Sequence, residues 1–554
     1  MRASRQRAVL AVSAAAALAV GLAGCAESQR GEQNQASDRE LIFGTAGEPK
    51  VLDPAFASDG ESFRIARQVY ETLLTHEEGG TEIVGGLAET WENSPDGKVW
   101  TFHLRKNVKF HDGTDFNAEA VCFNFDRWYN WSGPLQHPAV STYWQDTFGG
   151  FAKNEDPQLP PSKYKSCTAQ DTHTAVIEFN EVSSTLPGAF SLTAFSISSP
   201  TALQEGKADE VTVGSDGRVT YPEYALTKGV GTGPFKIVEW NRTNKETILE
   251  RNDDYWGSKA KIKRLIFKTI DQETARRQAL EAGEIHGYDL VAPADVPRLQ
   301  EAGFNVPTRE AFNVLYLGMG QDNPILAKPE VRQAIAHAVN RESIVTSKLP
   351  PGAEVATQFM PPSMAGWSPD VPKYEYDPEK AKQLLAAAGA EGATLKFYYP
   401  TEVTRPYMPD PKAIFESIKA DLEAVGLKLE IVPEIWTQYT NTVRAGTPDL
   451  WLLGWTGDYN EAYNFIGTFF GAPKPADFQF SNPELHAALQ AVDQEPDRDK
   501  RIEMYKEINK QIMEFLPGLP ISHSPPSIVF AKNLTGIKPS PLTAEVFNNA
   551  EFTS

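Results

Sequence analysis

Leu395-Lys396-Phe397-Tyr398-Tyr399, Leu427-Lys428-Leu429-Glu430-Ile431-Val432 and Leu450-Trp451-Leu452-Leu453 are the segments on which the fold turns. The first reads as a strand, followed by a proline-rich loop from Pro400 to Pro411 and a helix to about Gly426. The second is another strand, so the run forms a β-loop-α-β unit whose strands lie parallel. A further helix over about Trp436 to Ala445 leads into the third segment, an unbroken apolar run of the kind buried on both faces of a sheet. That strand ends at Gly454-Trp455-Thr456-Gly457-Asp458. In open α/β sheets ligands bind beyond the carboxyl ends of strands, and the loops carrying Arg405 and Asp458 both lie there.

Outward from this unit the chain alternates strands and helices. Asp377-Pro378-Glu379 caps a helix that stops at Gly389, and Lys328-Pro329-Glu330 opens another with Val331, Ala334, Ile335, Ala338 and Val339 on one face. His337 falls on the polar face of that helix and reads as solvated. Leu41 to Gly44 is a short strand. Trp100, Phe102 and Leu104 alternate with Thr101, His103 and Arg105, a half-buried strand between two turns. Gly229-Val230-Gly231-Thr232-Gly233 is glycine-rich but precedes a strand rather than a helix, so it is a backbone turn or hinge and not a phosphate cradle.

Composition narrows the function classes. The 554 residues carry 53 Lys+Arg against 73 Asp+Glu, a formal charge of −20. A pI near 5.0 argues against a polyphosphate partner, so no nucleic acid is expected. No G-x-S-x-G, H-E-x-x-H, Walker or EF-hand motif is present, and the nine His form no i, i+4 pair, so no catalytic centre, metal or cofactor is expected. A secreted hydrolase is disfavoured on the same ground.

Arg405 and Asp458 are of a different kind. Arg405 sits in Thr404-Arg405-Pro406-Tyr407-Met408-Pro409, a loop stiffened by proline on both sides of Tyr407. A guanidinium fork there suits a carboxylate. Asp458, between Trp455 and Tyr459, suits an ammonium, and together the two complement a zwitterion enclosed by aromatics. The plain alternative is that they pair with each other or face water.

The first residues address the compartment. Arg2, Arg5 and Arg7 precede an uncharged, mostly apolar stretch from Ala8 to Gly24, as in a secretory signal. Leu22-Ala23-Gly24-Cys25 resembles the bacterial lipobox, in which the cysteine is lipidated and becomes the first mature residue. Residues 1–24 are thus expected to be a signal peptide and residues 25–39 a polar, flexible tether. The expected location is the extracytoplasmic face of the cell membrane, held by the acyl anchor alone. Cys122 and Cys167, an even pair in an oxidising compartment, read as a disulfide, with two buried thiols as the alternative.

In order along the chain come Leu87-Ala88-Glu89-Thr90-Trp91-Glu92, Phe110-His111-Asp112-Gly113, Gly231-Thr232-Gly233-Pro234-Phe235, Tyr255-Trp256-Gly257, Val331-Arg332-Gln333-Ala334 and Tyr376-Asp377-Pro378-Glu379-Lys380-Ala381. With these the chain resembles family 5 of the bacterial extracellular solute-binding proteins, the peptide- and nickel-binding group of ABC importers, from about Leu41 to Phe552. Arg405-Pro406-Tyr407 and Gly454 to Asp458 resemble the dipeptide-binding members, where the Arg engages the peptide carboxylate and the Asp the ammonium. Asp458-Tyr459-Asn460-Glu461 is also similar to oligopeptide-binding members. Ala462 stands where a Pro is usual and His286 where many members have Asp.

The resemblance implies an α/β, two-lobed periplasmic-binding-protein fold (type II, cluster C) with a subdomain inserted in the first lobe. Lobe I is expected at 40–80, 225–310 and 525–554, the insertion at 81–224 and lobe II at 311–524, with crossings near Phe312-Asn313 and His523-Ser524 as hinges. It further implies a monomeric, non-catalytic lipoprotein that captures di- or short oligopeptides. The ligand contacts are Arg405, Tyr407, Trp455, Thr456, Gly457, Asp458 and Tyr459, with Ser58, Asp59 and Gly60 reaching the peptide backbone from lobe I. The partner is a permease heterodimer with cytoplasmic ATPases. An oligosaccharide, haem or nickel chelate is the alternative ligand.

Overall fold

The computed structural model describes residues 39–215 and 218–553. The predicted signal segment, Cys25 and all of the tether but its last residue lie outside the described residues. Two six-stranded sheets and a four-stranded one organise the rest.

The first six-stranded sheet runs in the order Phe235–Asn241, Glu246–Arg251, Arg264–Thr269, Glu40–Thr45, Gly287–Asp289, Ile528–Phe530. Its centre is parallel, Glu40–Thr45 pairing with Arg264–Thr269 and Gly287–Asp289, and its flanks are antiparallel. The second runs Glu354–Val355, Gly518–His523, Asn313–Met319, Leu450–Thr456, Thr394–Thr401, Lys428–Ile435. Every residue of Asn313–Met319 is buried, as befits a strand covered on both faces. These sheets belong to the two lobes.

The β-loop-α-β reading holds. Thr394–Thr401 pairs in parallel with Lys428–Ile435 in unbroken register, and the helix between them is Pro411–Ala424, capped by Asp410 through Ala413 N–H. One boundary differs. The strand read as ending at Leu453 continues to Thr456, because Gly454, Trp455 and Thr456 keep pairing with Leu315, Val314 and Asn313. Gly454 permits this: a Cβ there would lie 2.4 Å from the Tyr407 ring, which fills the space instead.

The four-stranded antiparallel sheet, Ala88–Asn93, Val99–Leu104, Thr174–Phe179, Tyr164–Asp171, buries Trp100, Phe102 and Leu104 on one face as their alternation predicts. Cys122 on the helix Ala118–Tyr129 is bonded to Cys167 on the outer strand. The bridge closes a sequence separation of 45 residues. In the chain-entropy account a loop of this size is worth about 4 kcal/mol, with 2–4 kcal/mol typical. A Cys122→Ser/Cys167→Ser protein is therefore expected to melt several degrees lower; an unchanged melting curve would contradict this.

The turn motifs at Gly231-Thr232-Gly233 and Tyr255-Trp256 converge on one half-buried carboxylate. Glu71 accepts from Thr232 Oγ1 (2.7 Å), Tyr255 Oη (2.8 Å) and Trp256 Nε1 (2.8 Å). Gly231 and Gly233 press against the backbone of Val69, where a Cβ on Gly231 would lie 2.2 Å from the carbonyl oxygen. The glycine run is thus a close-packed turn. His337 is buried, not solvated: its Nδ1 lies 2.7 Å from Glu375 O and its ring meets Tyr374 edge-on. The segment ahead of the helix Pro378–Ala387 folds over the face that helical periodicity marked as polar.

The two chain crossings between the sheets lie side by side. The Asn313 amide donates to Ser524 O (2.7 Å) and accepts from Ser524 N (3.0 Å), and the His523 ring bonds Asn313 O (2.6 Å).

Candidate functional site

Because Thr394–Thr401 and Leu450–Thr456 are parallel, their carboxyl ends open on one edge of the second sheet. Each ends in a built loop. The Arg405 loop is a tight turn closed by Arg405 N–H to Met408 O (3.1 Å) and Met408 N–H to Arg405 O (3.0 Å). Its guanidinium carbon stands 4.0 Å from the centroid of the Trp436 ring, at the start of the helix Trp436–Arg444 that follows the neighbouring parallel strand. Stacking fixes the plane of the fork without using its N–H groups. Arg405 Nε is buried and has no hydrogen-bond partner. Among the described residues no carboxylate forms an ion pair with Arg405, so it does not pair with Asp458. Tyr407 is buried beside it on Gly454, and burial pushes its hydroxyl up to about 12.

The Asp458 loop is held by a residue the sequence reading missed. Asn464 Oδ1, on the helix Tyr463–Phe470, accepts from Asp458 N–H (2.8 Å) and Trp455 Nε1 (3.3 Å). Gly457 is required for the bend, since a Cβ would lie 2.3 Å from Phe312 and 2.6 Å from Phe465. Thr456 Oγ1 is buried without a partner. Tyr143, on the helix Pro138–Phe148, brings its hydroxyl to 3.5 Å from Asp458 Oδ1. Burial pushes the Asp458 carboxyl up to about 6, against the positive field of Arg67 and these hydrogen bonds. Asp146, one turn beyond Tyr143, is likewise pushed up to about 6 by burial, with Arg444 opposing.

Two of the expected contact residues also have partners within the protein. Tyr459 packs its ring over Gly188 in the core of the four-stranded-sheet subdomain, where a Cβ on Gly188 would come within 2.3 Å of it, and its hydroxyl is pushed up by burial and by the neighbouring Asp458 charge. Asp59 spends its carboxylate as the N-cap of the helix Gly60–Val69, accepting from Glu61 N, Ser62 N and Ser62 Oγ. Ser58 is exposed, and Gly60 opens the helix with nothing packed where a Cβ would stand.

That helix carries Arg64 and Arg67. Behind the site, Arg64 and Arg309 share Asp289 (2.5 and 2.6 Å), and Arg309 also grips Glu545 (2.6 Å). All four side chains are buried. Arg67 and Tyr143 gave no sequence signal, because their partners lie far away along the chain; Asn464, six and nine residues from its partners, carries no motif that marks it.

Comparison with known proteins agrees with this architecture. The profile described as "Bacterial extracellular solute-binding proteins, family 5 Middle" matches residues 82–477. The chain is 31% identical to a "Di/tripeptide-binding protein 1" of Pseudomonas aeruginosa over 88% of this chain and 90% of that protein. It is 30% identical to a "Dipeptide-binding protein" of Escherichia coli over 92% and 94%. The structure of the Helicobacter pylori periplasmic binding protein DppA in complex with peptide STSA superposes with a TM-score of 0.78 at 25% identity, covering 93% of this chain and 98% of that one. With its two lobes and a family profile covering most of its length, this chain belongs to family 5 of the bacterial extracellular solute-binding proteins.

Proposed function

We propose that the protein captures short peptides, dipeptides foremost, between its two lobes and delivers them to a membrane permease of an ABC importer, without catalysing a reaction. One observation carries the reading: Arg405 and Asp458 stand on the same sheet edge, each oriented by neighbours and neither paired with the other. A fork stacked on an aromatic ring meets a carboxylate, and an aspartate with a burial-raised pKa gains most when an ammonium replaces its lost water. Relatives named for di- and tripeptide binding support the ligand class. The paired crossings at Asn313 and Ser524 serve as the hinge in this account. Lipidation at Cys25, monomeric action and residence on the extracytoplasmic face of the cell membrane complete the proposal, on the strength of the N-terminal pattern.

A thermal-shift screen tests it. Protein lacking residues 1–38 is unfolded and refolded to strip ligand, then offered di- to pentapeptides, haem, nickel chelates and oligosaccharides. A peptide at a hundred times its dissociation constant is expected to add about 2.7 kcal/mol of stability. Stabilisation by a sugar, haem or metal chelate alone would overturn the reading.

Arg405→Ala is expected to weaken free dipeptides by about 10- to 100-fold and to erase the difference between a dipeptide and its C-terminal amide. Calorimetry on both ligands measures this, and a retained difference would remove Arg405 from the site.

A further inference from the structure

Arg67 has the construction of an anchor rather than of a packing residue. It lies on the first-lobe helix Gly60–Val69 and is only partly buried. Its Nε donates to Thr193 Oγ1 (3.1 Å) and its Nη1 to Thr543 O (3.2 Å), while its guanidinium lies 5.7 Å from the Phe63 ring centroid. Phe63 in turn meets the Tyr143 ring edge-on at 5.3 Å, and Tyr143 reaches Asp458. Thr543 holds a left-handed backbone, φ 54°, which a β-branched residue rarely adopts. Its strained turn is closed by Thr543 N–H to Ser540 O (2.9 Å) and presents the carbonyl that orients Arg67.

Two of the five guanidinium N–H groups are thereby used, both on first-lobe partners. Arg67 feels Asp458 and Glu545 through space but forms an ion pair with neither. The charges around it balance once Asp458 is reserved for the ligand ammonium: Arg64, Arg67 and Arg309 stand against Glu61, Asp289 and Glu545. The remaining donors therefore call for a neutral acceptor rather than a further anion.

We propose that Arg67 binds the carbonyl oxygen of the ligand's first residue, gripping from the first lobe the same amino-acyl unit whose ammonium Asp458 holds from the second. The proposal rests on the peptide reading above. In an α-peptide that carbonyl is attached to the carbon bearing the amine, so the acceptor arrives beside Asp458, where the field of Arg67 is already felt. Recognition then spans both lobes and favours α-aminoacyl ligands over other primary amines.

The test is a cycle crossing one residue with one ligand group. Wild-type and Arg67→Ala proteins are titrated with a dipeptide and with its (E)-alkene isostere, which keeps both termini and the extended shape but lacks the first carbonyl together with the amide N–H. The preference for the dipeptide over the isostere is expected to be about 10- to 100-fold larger in the wild type than in Arg67→Ala, the loss of the amide N–H being common to both proteins and cancelling in the cycle. Arg67→Lys, which keeps the charge and loses the fork, serves the same cycle if the alanine protein does not fold, and is expected to recover only part of the difference. Equal losses for both ligands on substitution would show that Arg67 acts only on the field at Asp458 and would overturn the contact alone. Failure of the wild type to bind any dipeptide would overturn the peptide reading and this contact with it.

Discussion

Asp458→Asn is expected to lower affinity for free dipeptides by about 100- to 1000-fold while making the empty protein harder to unfold. The first effect follows from leaving the ligand ammonium in a closed cleft without its counter-charge, a loss of the size seen when one partner of a buried charge pair is removed. The second follows from linkage. Burial raises the Asp458 carboxyl from 3.8 to about 6 in the folded state, with the Arg67 field and the Asn464 and Tyr143 hydrogen bonds opposing. Between those values the folded protein binds more protons than the unfolded one, so stability falls as pH rises through the window. At neutral pH the ionised group is a net burden of about 1–2 kcal/mol once screening by cleft water is allowed for, and asparagine removes it. The same carboxyl sets a pH dependence of binding. Only the ionised form accepts an ammonium, so wild-type affinity is expected to be about tenfold weaker at pH 5 than at pH 7 and to fall again above about pH 8 as the ligand's α-amino group loses its proton, whereas Asp458→Asn stays flat between about pH 5 and 7. A variant that binds normally, or melts well below the wild type, contradicts this assignment.

The largest expected stability loss lies behind the site. Arg309→Met is expected to destabilise the protein by about 3–5 kcal/mol in urea unfolding, because it strands two buried carboxylates that now share one guanidinium. The Arg309 side chain is fully buried between Asp289 and Glu545, at 2.6 Å from each. Its backbone N–H bonds Pro526 O (2.9 Å), so it also ties one chain crossing to the other. The guanidinia of Arg309 and Arg64 hold Asp289 well below the usual carboxylate range against the opposing push of burial. A depressed carboxylate contributes stability above its unfolded pKa and loses it as pH falls through the folded value. Wild-type stability is therefore expected to decline below about pH 4, and the decline to be shallower in Arg309→Met. A loss under 1 kcal/mol would mean that the four charges are individually dispensable.

What could be read from the sequence was whatever local pattern encodes. Parallel strands followed from Leu395 to Val432, the alternation at Trp100 to Leu104 gave its buried face, and the Cys122 and Cys167 pair is joined. Arg405 stood out because prolines stiffen its loop, but the Trp436 ring beneath it comes from the next parallel strand's helix, and no local spacing announces that contact. Asp458 was legible as a strand-end aspartate. Its setting was not, since Tyr143 is 315 positions away and Arg67 lies on a helix whose periodicity shows only packing. The same reason explains why the burial of His337 and the packing of the Tyr459 ring were not foreseen. Each is covered by a segment distant in sequence, Glu375 folding back over the first and Gly188 receiving the second.

The most direct measurement is calorimetric titration of stripped protein with one dipeptide, its N-acetyl form and its C-terminal amide, repeated on Asp458→Asn and Arg405→Ala. The account predicts that the wild type rejects both blocked forms by at least tenfold. It further predicts that Asp458→Asn loses discrimination at the amino end alone, and Arg405→Ala at the carboxyl end alone. Equal binding of free and blocked peptides by the wild type would contradict the zwitterion clamp on which the account depends.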